Sequence, residues 1–200
     1  NTINFPAAIL QPPFFDAKAD DAINYGGIGG VIGHEASHGF DDQGSQFDAV
    51  GNNTNWWSEE DKKAFEARTA KLVEQFTAYE PLLGKHINGQ LTLGENIADL
   101  GGLAIAYDAL QVAMAKDPGE ASEKIDGYTQ DQRFFLNWAR IWRGHMRDKR
   151  LEVMLNTDPH SPTTYRAIGA PSNLDAFASA FACKPGDAMV RDGDTQVKIW

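Results

Sequence analysis

The sequence predicts a mainly α-helical domain with a few short β-strands. Three observations predict it. Apolar residues recur at helical spacing over most of the 200 residues. Those runs are punctuated by a helix-start sequence at Ser58 and a stop at Asp117-Pro118-Gly119. Alternating strand patterns are sparse. At 42% hydrophobic and 23% charged the chain is ordinary globular material, long enough to bury a core in one domain.

Residues 1–16 are apolar and carry Pro6, Pro12 and Pro13, which predicts an extended or turning segment. A helix is expected over about residues 21–39 despite Gly26, Gly27, Gly29, Gly30 and Gly33. Each helical glycine costs roughly 1 kcal/mol relative to alanine, so this density implies that something packs very close to the helix. A nucleotide-binding loop is excluded: Gly27-Ile28-Gly29 lacks a third glycine at position 32, and no Gly-Lys-Ser/Thr follows. Residues 41–57 are rich in Asp, Gly and Asn and predict a loop. Ser58-Glu59-Glu60-Asp61 caps an amphipathic helix to about Tyr79. Residues 84–93 predict a turn or short strand, with His86 in it. A helix follows over about 93–115. Another is expected over about 129–147, with Phe134, Phe135, Trp138, Ile141 and Trp142 on its apolar face and His145 on its polar side. The mixed charges of residues 147–150 read as its solvated end. A last helix is expected over about 173–182.

Lys and Arg total 18 against 28 Asp and Glu, a net charge of −10. That balance repels phosphate backbones, so no nucleic-acid partner is expected. No run of 18 apolar residues suggests a membrane span. The start, Asn-Thr-Ile-Asn-Phe-Pro, has no initiator Met and no secretory signal pattern, so a processed chain or a piece of a longer one is expected. The single cysteine, Cys183, excludes an internal disulfide and a four-cysteine zinc site, and reads as a buried small apolar residue.

The chemistry concentrates in His34-Glu35-Ala36-Ser37-His38. Residues four apart share a helix face, so both imidazoles can bind one metal at about 2.0–2.1 Å. Glu35 projects differently and can reach a metal-activated water without binding the metal. Two surface histidines would satisfy the same spacing, but the preceding turns are apolar and glycine-rich, which places this helix inside. A catalytic zinc takes three protein ligands and one open position. A His-x-x-Gly-x-x-His extension is excluded, because Asp41 and Gly44 occupy the Gly and His positions. The remaining candidate is Glu95, with Asp99 one turn later to accept the outer N–H of a ligand histidine. A Glu-x-x-x-Asp pair alone is weak evidence. Its flanks (Leu91, Leu93, Ile97, Leu100, Gly101-Gly102) are not those of a polar surface.

Several segments appear in one order: Phe5 to Phe15, Asn24-Tyr25-Gly26-Gly27-Ile28-Gly29, His34-Glu35-x-x-His38-Gly39-Phe40-Asp41-Asp42, and Gly94-Glu95-Asn96-Ile97-Ala98-Asp99. Phe134-Phe135-Leu136-Asn137-Trp138-Ala139, Asp158-Pro159-His160-Ser161-Pro162, Tyr165-Arg166 and Trp200 follow. Across nearly the whole chain this set resembles the neprilysin family of zinc metallopeptidases (the neprilysin and endothelin-converting-enzyme group). The resemblance implies a thermolysin-like (gluzincin) zinc peptidase domain acting on short peptides, with one zinc per chain. It implies that His160, otherwise an ordinary loop histidine, stabilises the oxyanion and that Asp158 orients it. It implies that Arg166 binds a substrate carbonyl. It implies that Ile9, Phe14, Val31, Ile141 and Trp142 line an S1′ pocket favouring a large apolar residue. Gly30, where relatives often carry Met or Val, suggests a deeper pocket.

Family members run to several hundred residues, with a helical N-terminal region that closes over the site. Residues 1–200 are therefore expected to be the C-terminal catalytic portion of a larger enzyme, without that lid. The resemblance also implies a periplasmic or extracellular location. Two rival readings stay open: a zinc-binding but catalytically incompetent fragment, and a non-catalytic binding module.

Overall fold

In the computed structural model, which describes residues 2–199, the glycine-rich run becomes a nearly continuous helical rod. Trp200, one position of the resemblance, lies outside the described residues. The rod comprises α1 (Asp21–Asn24), a π-helical turn (Tyr25–Gly29), α2 (Gly30–Ser37) and a 3-10 turn (His38–Phe40). The Asp20 side chain caps its start by accepting from Ile23 N–H at 3.2 Å. At the π-helical widening, Ile28 N–H donates to the Phe14 carbonyl at 2.7 Å, which ties the N-terminal segment to the rod.

What packs so close is α4 (Leu93–Met114). A Cβ on Gly33 would stand 2.4 Å from the Gly102 carbonyl oxygen, and one on Gly102 would stand 2.2 Å from the His34 nitrogen. The two backbones touch at this crossing, which only paired glycines allow.

The core forms around α4. Ser58 accepts from Asp61 N–H at 3.0 Å and starts α3 (Glu59–Thr77), which buries Leu72 and Phe76. Thr129 and Gln132 form a reciprocal capping box at the start of α6 (Gln130–Ile141), whose Phe134, Phe135, Trp138 and Ile141 are buried. Burying each such side chain contributes roughly 1.5–3 kcal/mol. By length and composition α4 could cross a membrane. Its polar residues Asn96 and Asp99 are instead buried within the protein, together with Ile97, Leu100 and Leu103.

Several boundaries differ from expectation. Helix α6 ends at Ile141, six residues early; Gly144 follows, and residues 143–147 are exposed, with Met146 their single apolar side chain. His145 therefore lies on an exposed loop, not on a helix face. The charged run is not a helix end. Asp148 opens α7 (Asp148–Thr157), where a carboxylate favours the N-terminus and Met154 and Leu155 supply the buried side. Asp117 stops α4 and also caps α5 (Pro118–Ser122) through Gly119 and Glu120 N–H. Helix α8 (Thr163–Gly169) follows Pro162, and α9 (Asp175–Ala180) is shorter than expected, behind a 3-10 turn at Pro171–Asn173. Cys183 is a free, half-buried thiol just beyond α9, and its backbone N–H donates to the Ala178 carbonyl at 2.9 Å. His86 is exposed in its turn. Among the described residues β structure is confined to three isolated bridges, Phe47 with Asn53, Leu82 with Lys85, and Ile125 with Tyr128.

The crossing makes a stability prediction. Gly102→Ala should destabilise the protein by about 1–3 kcal/mol through overpacking, read from the midpoint of denaturant unfolding. An unchanged midpoint would show that α2 and α4 do not touch there.

Candidate metal centre and active site

The crossing brings His34 and His38 of the first rod against Glu95 of α4. His34 Nε2 lies 3.0 Å from His38 Nε2 and 3.2 Å from Glu95 Oε2; His38 Nε2 lies 3.6 Å from Glu95 Oε1. What stands behind the rings determines what faces inward. His34 Nδ1 meets Asp99 Oδ1 at 2.8 Å, and His38 Nδ1 meets Asp41 Oδ2 at 2.7 Å. Each Nδ1–H is thus donated to a carboxylate. Both Nε2 lone pairs then point at each other and at Glu95, whose buried Oε2 makes no hydrogen bond, with Arg166 Nη2 3.6 Å and His160 Nε2 3.3 Å away.

Three mutually facing acceptors need a cation. Ligand atoms about 2.0–2.2 Å from a tetrahedral zinc stand about 3.3 Å apart, close to the spacings found here. The donor set therefore fits zinc, and His34, His38 and Glu95 are the group able to hold a metal among the described residues. Burial pulls the His34 imidazole down, but the facing Asp99 and Glu95 outweigh it and push it up to about 9. Hydrogen bonding to Asp41 raises His38 against its burial.

Asp99 is 1% exposed and pairs bidentately with Arg166, Nε to Oδ2 at 2.8 Å and Nη2 to Oδ1 at 2.7 Å. Burial alone would raise the Asp99 carboxyl; Arg166 and His34 hold it below the usual carboxylate range. The Arg166 guanidinium also lies 3.9 Å over the Trp142 ring. The structure thus engages Arg166 with Asp99 and Trp142, a role beyond the carbonyl contact that the resemblance implied.

His160 lies on the loop between α7 and α8. Its Nδ1 meets Asp158 Oδ1 at 2.8 Å, and its Nε2 stands 3.3 Å from Glu95 Oε2. Glu35 is exposed and, with His38, Ile3, Phe40, Phe47 and Trp56, lines an open cleft of about 810 Å³. The expected S1′ residues are less tightly grouped. Ile141 is in the core, Phe14, Val31 and Trp142 pack against it, and Ile9 is half-buried on a 3-10 turn. Gly30 opens no deeper pocket. A Cβ there would meet the Trp138 indole at 3.0 Å, so the space is already filled.

Asp41 was missed as the partner of His38. The signal was present as a carboxylate three residues after the second histidine. Its Oδ1 accepts from Gln43 and Gly44 N–H at 2.8 and 2.6 Å, which aims Oδ2 at the ring.

Two predictions follow from this wiring. Asp41→Ala should weaken zinc binding about 10–100-fold, measured by competition with a chelating dye; unchanged affinity would remove Asp41 from the site. A proton held on His34 up to about pH 9 must leave when metal enters. Calorimetry at pH 7.5 in buffers of different ionisation enthalpy should show proton release on zinc binding, with affinity rising as pH rises towards 9. No release would contradict the facing-acceptor geometry.

A family model described as Peptidase family M13 matches residues 1–197. Neprilysin-11 of Caenorhabditis elegans is 45% identical over 202 residues, covering 100% of this chain and 24% of its own length. Human endothelin-converting enzyme 1 is 45% identical over 189 residues, covering 94% and 24%. The chain thus spans about a quarter of the length of the curated relatives it matches. Among solved structures, the zinc metalloprotease ZMP1 of Mycobacterium tuberculosis in complex with an inhibitor superposes with a TM-score of 0.93 at 50% identity, over 98% of this chain and 30% of that one. PEPO from Lactobacillus rhamnosis gives 0.85 at 37% identity, over 98% and 29%.

Proposed function

The chain belongs to peptidase family M13, and from that premise we propose that it is the C-terminal catalytic portion of a zinc endopeptidase that hydrolyses short peptides. The observation that carries this is the convergence of His34 Nε2, His38 Nε2 and the Glu95 carboxylate, with exposed Glu35 beside them on an open cleft. One zinc is held per chain by His34, His38 and Glu95. The N-terminal remainder of the enzyme forms the lid, and the location is periplasmic or extracellular.

Bound zinc supplies Lewis-acid polarisation of the scissile carbonyl and of the attacking water. The protein's own residues do the rest. Glu35 takes a proton from the attacking water and delivers one to the leaving amine. His160, oriented by Asp158, donates from Nε2 to the oxygen on which negative charge develops. Asp99 and Asp41 hold the ligand imidazoles in the tautomer that leaves Nε2 free, and Arg166 keeps Asp99 ionised while presenting positive charge to the substrate backbone. Ile9, Phe14, Val31, Ile141 and Trp142 give the wall that receives an apolar P1′ side chain.

Glu35→Gln should keep zinc and lose turnover by about 10²–10⁴, measured with a quenched fluorescent peptide. His160→Ala should keep zinc and lose about 10²–10³ in kcat. Near-normal cleavage by Glu35→Gln would refute the mechanism, whereas zinc binding without any peptide cleavage by the unsubstituted protein would favour a non-catalytic zinc module. Peptides differing only at P1′ should be cleaved faster with Leu or Phe than with Gly; the reverse order would overturn the pocket assignment.

A further inference from the structure

His160 needs a fixed place relative to Glu95, and its local bonds do not provide one. Its ring Nδ1 and its backbone N–H both bond to Asp158 Oδ1, at 2.8 and 2.9 Å, which fixes the ring only within its own loop. Besides the 3.3 Å approach of His160 Nε2 to Glu95 Oε2, a buried hydrogen bond ties that loop tip to the metal-ligand helix. Ser161 Oγ donates to Asn96 Oδ1 at 2.8 Å. These are the residues directly after His160 and Glu95, 65 positions apart, and they are 0% and 1% exposed. Asn96 Nδ2 donates on to Thr92 Oγ1 at 2.9 Å, and Thr92 Oγ1 to the Asn88 carbonyl at 3.2 Å. The chain of donors has one direction and ends on backbone.

We propose that Ser161 and Asn96 are positioning residues, a buried latch that holds the His160 loop in register with Glu95 and so sets how well His160 meets the developing oxyanion. This rests on the role given to His160 above. Pro162 follows at once and immediately precedes α8, which carries Arg166 to Asp99. The loop and its helix are therefore pinned to α4 at Asn96 and again at Asp99, three residues apart and so on neighbouring positions of one helix face. A buried hydroxyl-amide bond adds little net stability, because water would satisfy both groups in the unfolded chain. Its directionality fixes position, and a misplacement of about 1 Å can cost about 10²-fold in rate.

The test is a double-mutant cycle on the protein at its full natural length, with zinc content, kcat and KM read for each variant. Ser161→Ala should keep its zinc, keep KM within about twofold and lose about tenfold in kcat. In a His160→Ala background the same substitution should cost nothing further, because the latch acts only through His160. Asn96→Ala, read in the same two backgrounds, approaches the latch from its other end should Ser161→Ala fail to fold. Full kcat in Ser161→Ala, or an equal loss in both backgrounds, would overturn the latch alone. Full kcat in His160→Ala itself would overturn the oxyanion role and the latch with it.

Discussion

Everything at the candidate site depends on two helix backbones being allowed to touch. Gly33 and Gly102 leave α2 and α4 no side chains at their crossing. Only at that separation can His34 and His38, on one helix, share a point with Glu95 on the other. The cost of five glycines between residues 26 and 33 is offset by what the contact assembles: three acceptors that face one another and call for a cation. Most of the molecule, including the aromatic face of α6 and the buried side of α3, serves to hold α4 in that position.

Behind the three inward-facing groups stands a layer of fixed charge. Asp99 and Asp41 each take an imidazole Nδ1–H, and Arg166 holds Asp99 through two hydrogen bonds. A buried ion pair of this kind contributes little net stability, since removing two charges from water offsets their attraction. Its value here is geometric and electrostatic. The guanidinium keeps a fully buried carboxylate ionised, and the carboxylate fixes the tautomer and angle of a metal ligand. Loss of Asp99 or Arg166 leaves the other's charge unpaired in the core, so site and local fold are coupled.

Much of this was legible in the sequence. The His34-Glu35-x-x-His38 spacing, the Glu95 and Asp99 pair and the capping at Ser58 are local signals, carried within four or five residues, and the structure places these residues on the helices read for them. What escaped was set by contacts between distant segments. Asp41 was noticed only as an obstacle to a longer histidine motif, because its partnership with His38 depends on the chain turning at the end of α2. Ser161 and Asn96 carry no local signal, and their bond joins residues 65 apart. The end of α6 at Ile141 was hidden by a charged run that reads equally well as the end of one helix or the start of the next. Gly30 suggested an open pocket, where a neighbouring indole fills the space.

The central claim is that His34 Nε2, His38 Nε2 and Glu95 converge on one zinc. Zinc-edge X-ray absorption on the metal-loaded protein tests it most directly. The account predicts one zinc per chain in a shell of nitrogen and oxygen at about 2.0–2.2 Å, with a two-imidazole signature that falls to one imidazole in His38→Ala. A sulfur shell, or a spectrum unchanged by that substitution, would contradict it and move the metal, and the chemistry with it, to another part of the protein.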